Sequence, residues 1–417
     1  MHRVLIIIGM VLGTVSATAQ STLREYTEKV VAYNISMQRA TLATEAAEAE
    51  LRRAKKGLLP AIVFDRAATL DFHSRQGERN WGWQSSLEAQ QLIYGGGAVK
   101  AAVESSKCEI ELSLMEEEMA RRSTILSAER AYWHLSHAAE YRESIREYVA
   151  IIESLREVIA RRVEEGYSSK GDLLQIDSRL SDAEYQLSEA EQAYLIALHS
   201  YNSLCGMPLD THISLLESIL GISHTPQRSD LTEFFDRHPE QRIAELRAEI
   251  ARWKVRSTSA PYLPQITLNL FGNMQPTLPH TRESKIAFGG GAVVDFHTPI
   301  FHFGERRAAV AAAKSRQLSY EVERERVEDD ITLYEQDAWT NILHTLVRLQ
   351  TSRRSLEIAR ENLDISTYAY NEGETTIIDV MQAQISWLQS YRNMLAAHYD
   401  YAIALAEYRY ITGREQG

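Results

Sequence analysis

The residues of this 417-residue chain that could do chemistry are few and poorly grouped. His134 and His137 stand at i, i+3, a spacing that turns two imidazoles to one side of a helix and could hold a metal ion. No third ligand is suggested near them, so two packed or solvated histidines are expected. Gly95-Gly96-Gly97 lies between a strand and a helix and its counterpart later in the chain is Phe303-Gly304, so it reads as a junction and not as a phosphate-cradling loop, and no Gly-x-Ser-x-Gly nucleophile turn occurs. The two cysteines, Cys108 and Cys205, fall on different stretches of predicted helix, roughly tens of ångströms apart, which forbids a bond between them. No catalytic, cofactor-binding or metal-binding constellation emerges, and no enzyme is expected. What stands out is a pair of acidic turns. Gly166 is followed by Tyr167 and Asp172, and Gly373 by Glu374 and Asp379.

Those turns interrupt long helical sequence. Only 9 prolines occur, and Ala, Glu, Leu, Arg and Gln fill extended stretches. The formal net charge of -12, with no basic stripe to offset it, argues against nucleic acid as a partner. Residues 1–19 read as a secretory signal peptide: Arg3, an apolar run from Val4 to Val15, and Ala17-Thr18-Ala19 at the cleavage site. No Cys follows that site, so a lipid anchor there is not expected. No later stretch reaches the roughly 18–20 apolar residues of a membrane helix, so any membrane contact must be made by strands.

The chain repeats itself. Gly97 matches Gly304, Val103 matches Val310, Gly166 matches Gly373, Asp172 matches Asp379, Gln175 matches Gln382, Tyr201 matches Tyr408 and Gly206 matches Gly413. Every pair is 207 positions apart (304 − 97, 413 − 206), without a gap. A long helix tolerates no insertion without rotating its faces, so an ungapped repeat implies rigid geometry.

Each copy opens with a helix, Thr22 to Leu58 or Leu231 to Ala260, that ends at a proline. Two strands follow, Ala61 to Phe72 and Gly82 to Tyr94 in the first copy, Gln265 to Asn273 and Ile286 to Phe296 in the second. Ile266, Leu268 and Leu270 share one face, Thr267 and Asn269 the other, and Phe288, Val294 and Phe296 share parity. Such lengths suit a tilted membrane strand, although Arg66 and Gly289 to Gly291 weaken the pattern. An outgoing helix follows, Gly97 to Glu165 or Gly304 to Glu372, roughly 100 Å at 1.5 Å per residue.

The returning helices carry heptad seams with steps of three and four. The first runs Leu173, Ile176, Leu180, Ala183, Leu187, Ala190, Tyr194, Ala197, Tyr201, Leu204; the second Val380, Ala383, Trp387, Ser390, Met394, Ala397, Tyr401, Ala404, Tyr408, Ile411. The outgoing helices match them with Ile145, Val149, Ile152, Ile159 and Val163, and with Leu349, Leu356, Ala359, Leu363 and Tyr370. Each copy is therefore a long antiparallel helical hairpin carrying a β-hairpin. Four strands cannot close in lipid without leaving unpaired N–H and C=O groups, so several chains must share one barrel. Two copies would give 8 strands and three would give 12; sequence physics does not choose between them.

The markers together resemble the TolC-like outer-membrane efflux proteins. They are Leu59-Pro60 and Tyr262-Leu263-Pro264 before the strands, Thr298-Pro299-Ile300-Phe301 with Gly304 after them, Glu165-Gly166-Tyr167 leading to Asp172-Leu173-Leu174, and Tyr370-Asn371-Glu372-Gly373 leading to Asp379-Val380. Tyr201 to Gly206 and Tyr408 to Gly413 close the two copies. The resemblance covers residues 20–417 and implies a fold: mainly α with membrane β, a homotrimeric 12-stranded barrel in outer-membrane lipid on a helical periplasmic barrel. It implies β-hairpins at 60–96 and 263–303, preceded by helices at 20–59 and 230–262. The long hairpins are then 97–206 and 304–417, with tips at 166–172 and 373–379, and the equatorial region is the segment 207–229 together with part of 20–59 and the two ends of the mature chain.

It further implies a periplasmic adaptor (membrane fusion) protein at the tips and an inner-membrane transporter behind it, an exit duct for small molecules or polypeptides. Gly166, Tyr167, Gly373 and Glu374 would meet the adaptor. Asp172, Tyr370, Asp379 and Gln382 would form the aperture, Tyr370 and Asp172 matching a family tyrosine–aspartate pair. The family's gate arginine is absent, since Thr375 follows Glu374, and a second family aspartate is Gln382 here. From the residues alone, Asp172 and Asp379 are equally well read as N-caps. The competing class is a periplasmic coiled-coil tether without a pore, which would not need amphipathic strands.

Overall fold

The structure, a computed structural model, describes residues 19–71, 80–222, 227–228, 238–276 and 285–413. The expected signal peptide, Phe72, the start of the second opening helix at 231–237, and parts of the 207–229 segment lie outside the described residues.

The helices are α1 (Leu23–Tyr33), α2 (Ile35–Lys56), α3 (Ala98–Glu164), α4 (Lys170–Leu204), α5 (Pro239–Ser259), α6 (Glu305–Glu372) and α7 (Ile377–Thr412). The strands are β1 (Ala19–Ser21), β2 (Ala61–Asp71), β3 (Asn80–Gly95), β4 (Ile213–Leu215), β5 (Gln265–Pro276) and β6 (Ile286–His297). The first opening helix is not continuous, as the sequence suggested. It breaks at Asn34, whose backbone is extended and whose Oδ1 accepts from Ser36 N at 2.7 Å. That short side chain offers the backbone a turn in place of the next helical bond.

Two compact units divide the chain: residues 1–37, 121–229 and 334–417 form one, and 38–120 with 230–333 form the other. The second holds a four-stranded antiparallel sheet in the order β2-β3-β5-β6. Cross-strand partners lie on the same face of a sheet, and residues two apart share it. One face therefore carries Ile62, Phe64, Leu87, Leu268, Leu270, Met274, Phe288, Val294 and Phe296. The other carries Asp65, Gln84, Glu88, Gln90, Thr267, Asn269, Asn273 and Asp295. Arg66 falls on the apolar face with its guanidinium 5.6 Å from the Trp83 ring centre. The glycine run of β6 is explained by its neighbours across the strand. A Cβ on Gly291 would press the Phe271 ring, and one on Gly289 would collide with Asn273.

The hairpin-bearing unit is held by the seams. Every seam residue named from the sequence is buried or half-buried. Where α3 and α4 meet the chain's start, Tyr26 stacks on Tyr201 at 3.8 Å and donates to the Tyr201 carbonyl at 3.0 Å. Tyr132 donates to the Ser21 carbonyl at 3.2 Å. These contacts fix β1, which pairs in parallel with β4.

Candidate functional site

The two tips are built from the same backbone device. Helix α3 ends in a Schellman turn: Tyr167 N donates to Arg162 O at 2.7 Å and Gly166 N to Val163 O at 3.2 Å. Helix α6 ends likewise, with Glu374 N on Ala369 O at 2.8 Å and Gly373 N on Tyr370 O at 3.1 Å. Gly166 has φ +80° and Gly373 φ +78°, left-handed values that a side chain resists. A Cβ on either would meet nothing within 4 Å, so the glycines are required by conformation and not by crowding. Tyr167 is 80% exposed.

Asp172 and Asp379 are not N-caps, as one reading of the sequence had them. They lie three residues further in, at the third helical position of capping boxes whose N-caps are Ser169 and Thr376. The Asp172 carboxylate accepts from Ser169 N at 2.9 Å, and Asp172 N donates to Ser169 Oγ at 3.1 Å. Asp379 Oδ2 accepts from Thr376 N at 3.1 Å and from the hydroxyls of Thr375 and Thr376 at 2.7 Å each. The two hydroxyls, then that N–H, hold the Asp379 carboxyl below the usual carboxylate range.

The residue that sequence reasoning missed is Arg162. From the last turn of α3 its guanidinium reaches the carbonyls at the end of α6, Tyr370 O at 3.4 Å and Asn371 O at 3.2 Å. It lies 4.8 Å from the centre of the Tyr370 ring. A cation at carbonyl ends opposes the negative end of the helix dipole and adds a donor to acceptors that the last helical turn leaves wholly or partly open. Arg162 so ties one tip to the other. The signal was faint, because Arg161 and Arg162 are both ordinary last-turn cations. Tyr370 is buried beneath it, in a cluster with Ile377, Val380 and Leu388. Among the described residues no hydrogen bond joins Tyr370 to Asp172. Gln382 is exposed, as are Glu164, Glu165, Glu372 and Glu374.

No group of three or more metal-capable side chains occurs among the described residues, and no described helix is long and apolar enough to cross a membrane. His134 and His137 instead flank Tyr399, at 6.1 Å and 5.5 Å between ring centres.

Duplicated helical hairpins, each preceded in the chain by two strands of an amphipathic antiparallel sheet, define the class of architecture to which the chain belongs. The chain belongs to the outer membrane efflux protein family, whose pattern it matches over residues 27–206 and 232–414, one stretch per repeat. It is 23% identical over 396 residues to nodulation protein T of Rhizobium leguminosarum bv. trifolii, covering 87% of this chain and 79% of that one. The outer membrane protein VceC of Vibrio cholerae shares the fold, with a TM-score of 0.79 at 18% identity over 94% of this chain and 96% of that chain. So does the open-state MtrE outer membrane channel of Neisseria gonorrhoeae, with a TM-score of 0.81 at 17% identity over 94% and 88%. The family places this chain in the outer membrane with a large periplasmic helical portion and makes it an efflux channel component.

Proposed function

We propose that this chain forms one third of an outer-membrane exit duct of a tripartite efflux or secretion system. Three four-stranded sheets close one barrel of 12 strands (three times four). The helical hairpins continue it as a tube across the periplasm. A periplasmic adaptor grips the exposed turns at Gly166, Tyr167, Gly373 and Glu374, and an inner-membrane transporter behind it delivers small molecules or polypeptides. At the aperture, Asp379 repeats as a ring of carboxylates, a device that favours cations and resists anions. Asp172, Gln382 and the Arg162–Tyr370 tie stand around it. The cargo passes and is not transformed.

The observation that carries this reading is the sheet. Its apolar face is open to solvent in the single chain, with Phe288 79% and Phe296 74% exposed, and β2 and β6 each keep an unpaired edge. Neither feature is tolerable until lipid covers the face and other copies pair the edges. Extraction in mild detergent followed by light scattering, corrected for bound detergent, tests it. Three chains per particle are expected. A detergent-free soluble monomer or dimer would overturn the barrel and leave a periplasmic coiled-coil protein.

A further inference from the structure

In the sheet-bearing unit the four helix–strand junctions gather at one end of the sheet. Gly95, Gln265 and His297 are register partners across β3, β5 and β6, and Ala61 opposes Gln90 beside them. Direct contacts join the junctions: Gln91 donates to the Leu58 carbonyl at 2.5 Å, and Tyr262 donates to Glu305 at 2.9 Å.

The charge at this end is mostly positive, with Glu305 the acidic exception. Helix α2 closes on Arg52, Arg53, Lys55 and Lys56; Lys100 stands in the first turn of α3; α5 closes with Lys254 and Arg256; α6 opens with Arg306 and Arg307. All are exposed. Arg52 and Arg53 reach back to Glu48 and Glu50, away from the strands. Lys55, Lys56, Lys100, Arg306 and Arg307 have no ion-pair partner among the described residues. Further from the sheet the same helices mix the two signs and pair them, Arg242 with Glu111 and Glu245, and Arg247 with Glu116. In a chain of net charge -12, a cluster of unpaired cations at one end of the sheet is not background.

Beside the cations stands an apolar rim. Leu58, Leu59 and Phe301 are exposed, Ile300 is 95% exposed and Phe303 92%. Ile300 lies three residues past the end of β6, whose Phe288, Val294 and Phe296 belong to the apolar sheet face. Phe303 holds φ +45°, a left-handed backbone that is costly for an aromatic residue, and its ring meets Phe301 edge-on at 4.6 Å. Apolar strand face, aromatic rim and cations thus follow one another in the order in which a leaflet presents acyl chains, interface and phosphate.

We propose that this end of the unit is a lipid-binding collar. It takes anionic phospholipid headgroups of the periplasmic leaflet on its lysines and arginines, with Phe301 and Phe303 seated at the acyl boundary. The inference rests on the channel reading above. Neighbouring copies are poor occupants of the collar, because each brings the same cations to the same level and an anion is what relieves their repulsion.

The test uses the purified full-length protein in lipid nanodiscs made from an equal mixture of phosphatidylglycerol and phosphatidylcholine. Lipids retained after stripping are counted by mass spectrometry. The wild type should retain phosphatidylglycerol over phosphatidylcholine by about tenfold, given several cations near the headgroups, and rising salt should erase the preference. Lys55→Gln, Lys56→Gln, Arg306→Gln and Arg307→Gln together should abolish it while the oligomeric mass stays that of the wild type. Phe301→Ser with Phe303→Gly should reduce retention of both lipids. Equal retention by the wild type, or a preference insensitive to salt, would overturn the collar without recourse to any variant. So would a fourfold variant that keeps the preference, or one that instead alters the anion/cation permeability of the pore in pure phosphatidylcholine, which would put the cations in the lumen. Failure to insert into phosphatidylcholine at all would sink the channel reading with it; insertion without preference sinks the collar alone.

Discussion

The two returning helices, α4 and α7, share one seam and one capping box and differ on the face beside the seam. Along α7 a second seam runs beside the first: Ile377, Gln384, Leu388, Tyr391, Leu395, His398, Ala402 and Leu405, all buried or half-buried. The positions 207 earlier on α4 are Lys170, Asp177, Ser181, Glu184, Ser188, Glu191, Leu195 and Leu198, and most are exposed. Two of those polar residues form ion pairs with the outgoing helix instead, Arg156 with Asp177 and Arg146 with Glu191. One hairpin packs on two sides and its duplicate on one. Duplication preserved what each hairpin needs internally and released what only its neighbours demand. The uncovered side of α4, with Tyr185, Leu195 and Ile196 exposed, is where the proposed trimer would seat the next chain.

The sharpest way to break this contrast is to truncate the matching position to alanine in both copies. Leu395 is fully buried, so Leu395→Ala should cost about 3 kcal/mol of transfer and cavity energy. Ser188→Ala, its counterpart, should stay within about 0.5 kcal/mol. Denaturant unfolding followed by helical circular dichroism checks the pair; equal effects would deny α7 its second seam.

A pH effect of similar size should belong to α7 alone. His398 is buried and its Nε2 accepts from Arg353 at 3.2 Å. Burial first, then the Arg353 charge, pushes its pKa down to about 4. A folded pKa below the unfolded value of roughly 6.5 means the unfolded chain binds the proton first. The stability is therefore present above about pH 6.5 and lost as pH falls toward 4, by on the order of 3 kcal/mol. Unfolding midpoints measured across that window should fall for the wild type and flatten for His398→Gln. Glu191, at the matching place on α4, cannot substitute for it.

Where the copies agree, equal substitutions should have equal effects. Gly166→Ala and Gly373→Ala should each cost about 1 kcal/mol, since both are left-handed and neither Cβ meets a neighbour. A difference much beyond about 0.5 kcal/mol in the detergent-solubilised protein would show that the tips are not equivalent. The smallest effect tests the asymmetric tie. Arg162 has Ala369 as its counterpart, so only one tip reaches for the other. Arg162→Ala should cost about 1 kcal/mol and raise amide exchange at the end of α6, whereas Arg161→Ala should leave that exchange unchanged.

What the sequence disclosed follows from the same contrast. The shared seams were legible because apolar residues recur at three and four, and the strands because Ile266, Leu268 and Leu270 alternate with polar residues. The second seam of α7 was hidden by Gln384 and His398, polar residues that satisfy the packing but interrupt an apolar count. It emerges only when each position is compared with its counterpart in the other copy. The break at Asn34 has neither Gly nor Pro to announce it. Arg162 escaped notice because its partners are backbone carbonyls, which no side-chain pattern records. Both aspartates stand out in the sequence, whereas their hydroxyl-bearing N-caps, Ser169 and Thr376, sit beside a second hydroxyl residue each, Ser168 and Thr375, and so are not singled out by type.

The glycines at the two ends of each outgoing helix are 69 positions apart in both copies, Gly97 to Gly166 and Gly304 to Gly373, and all four have positive φ. The outgoing helices are therefore a matched pair of rulers. Removing seven residues from one would preserve its seam yet draw its tip back by about 10 Å, stranding Arg162 short of the Tyr370 carbonyl. Removing seven from both would keep the tips level and yield a shorter gauge. The equal count records a distance that neither copy is free to change alone.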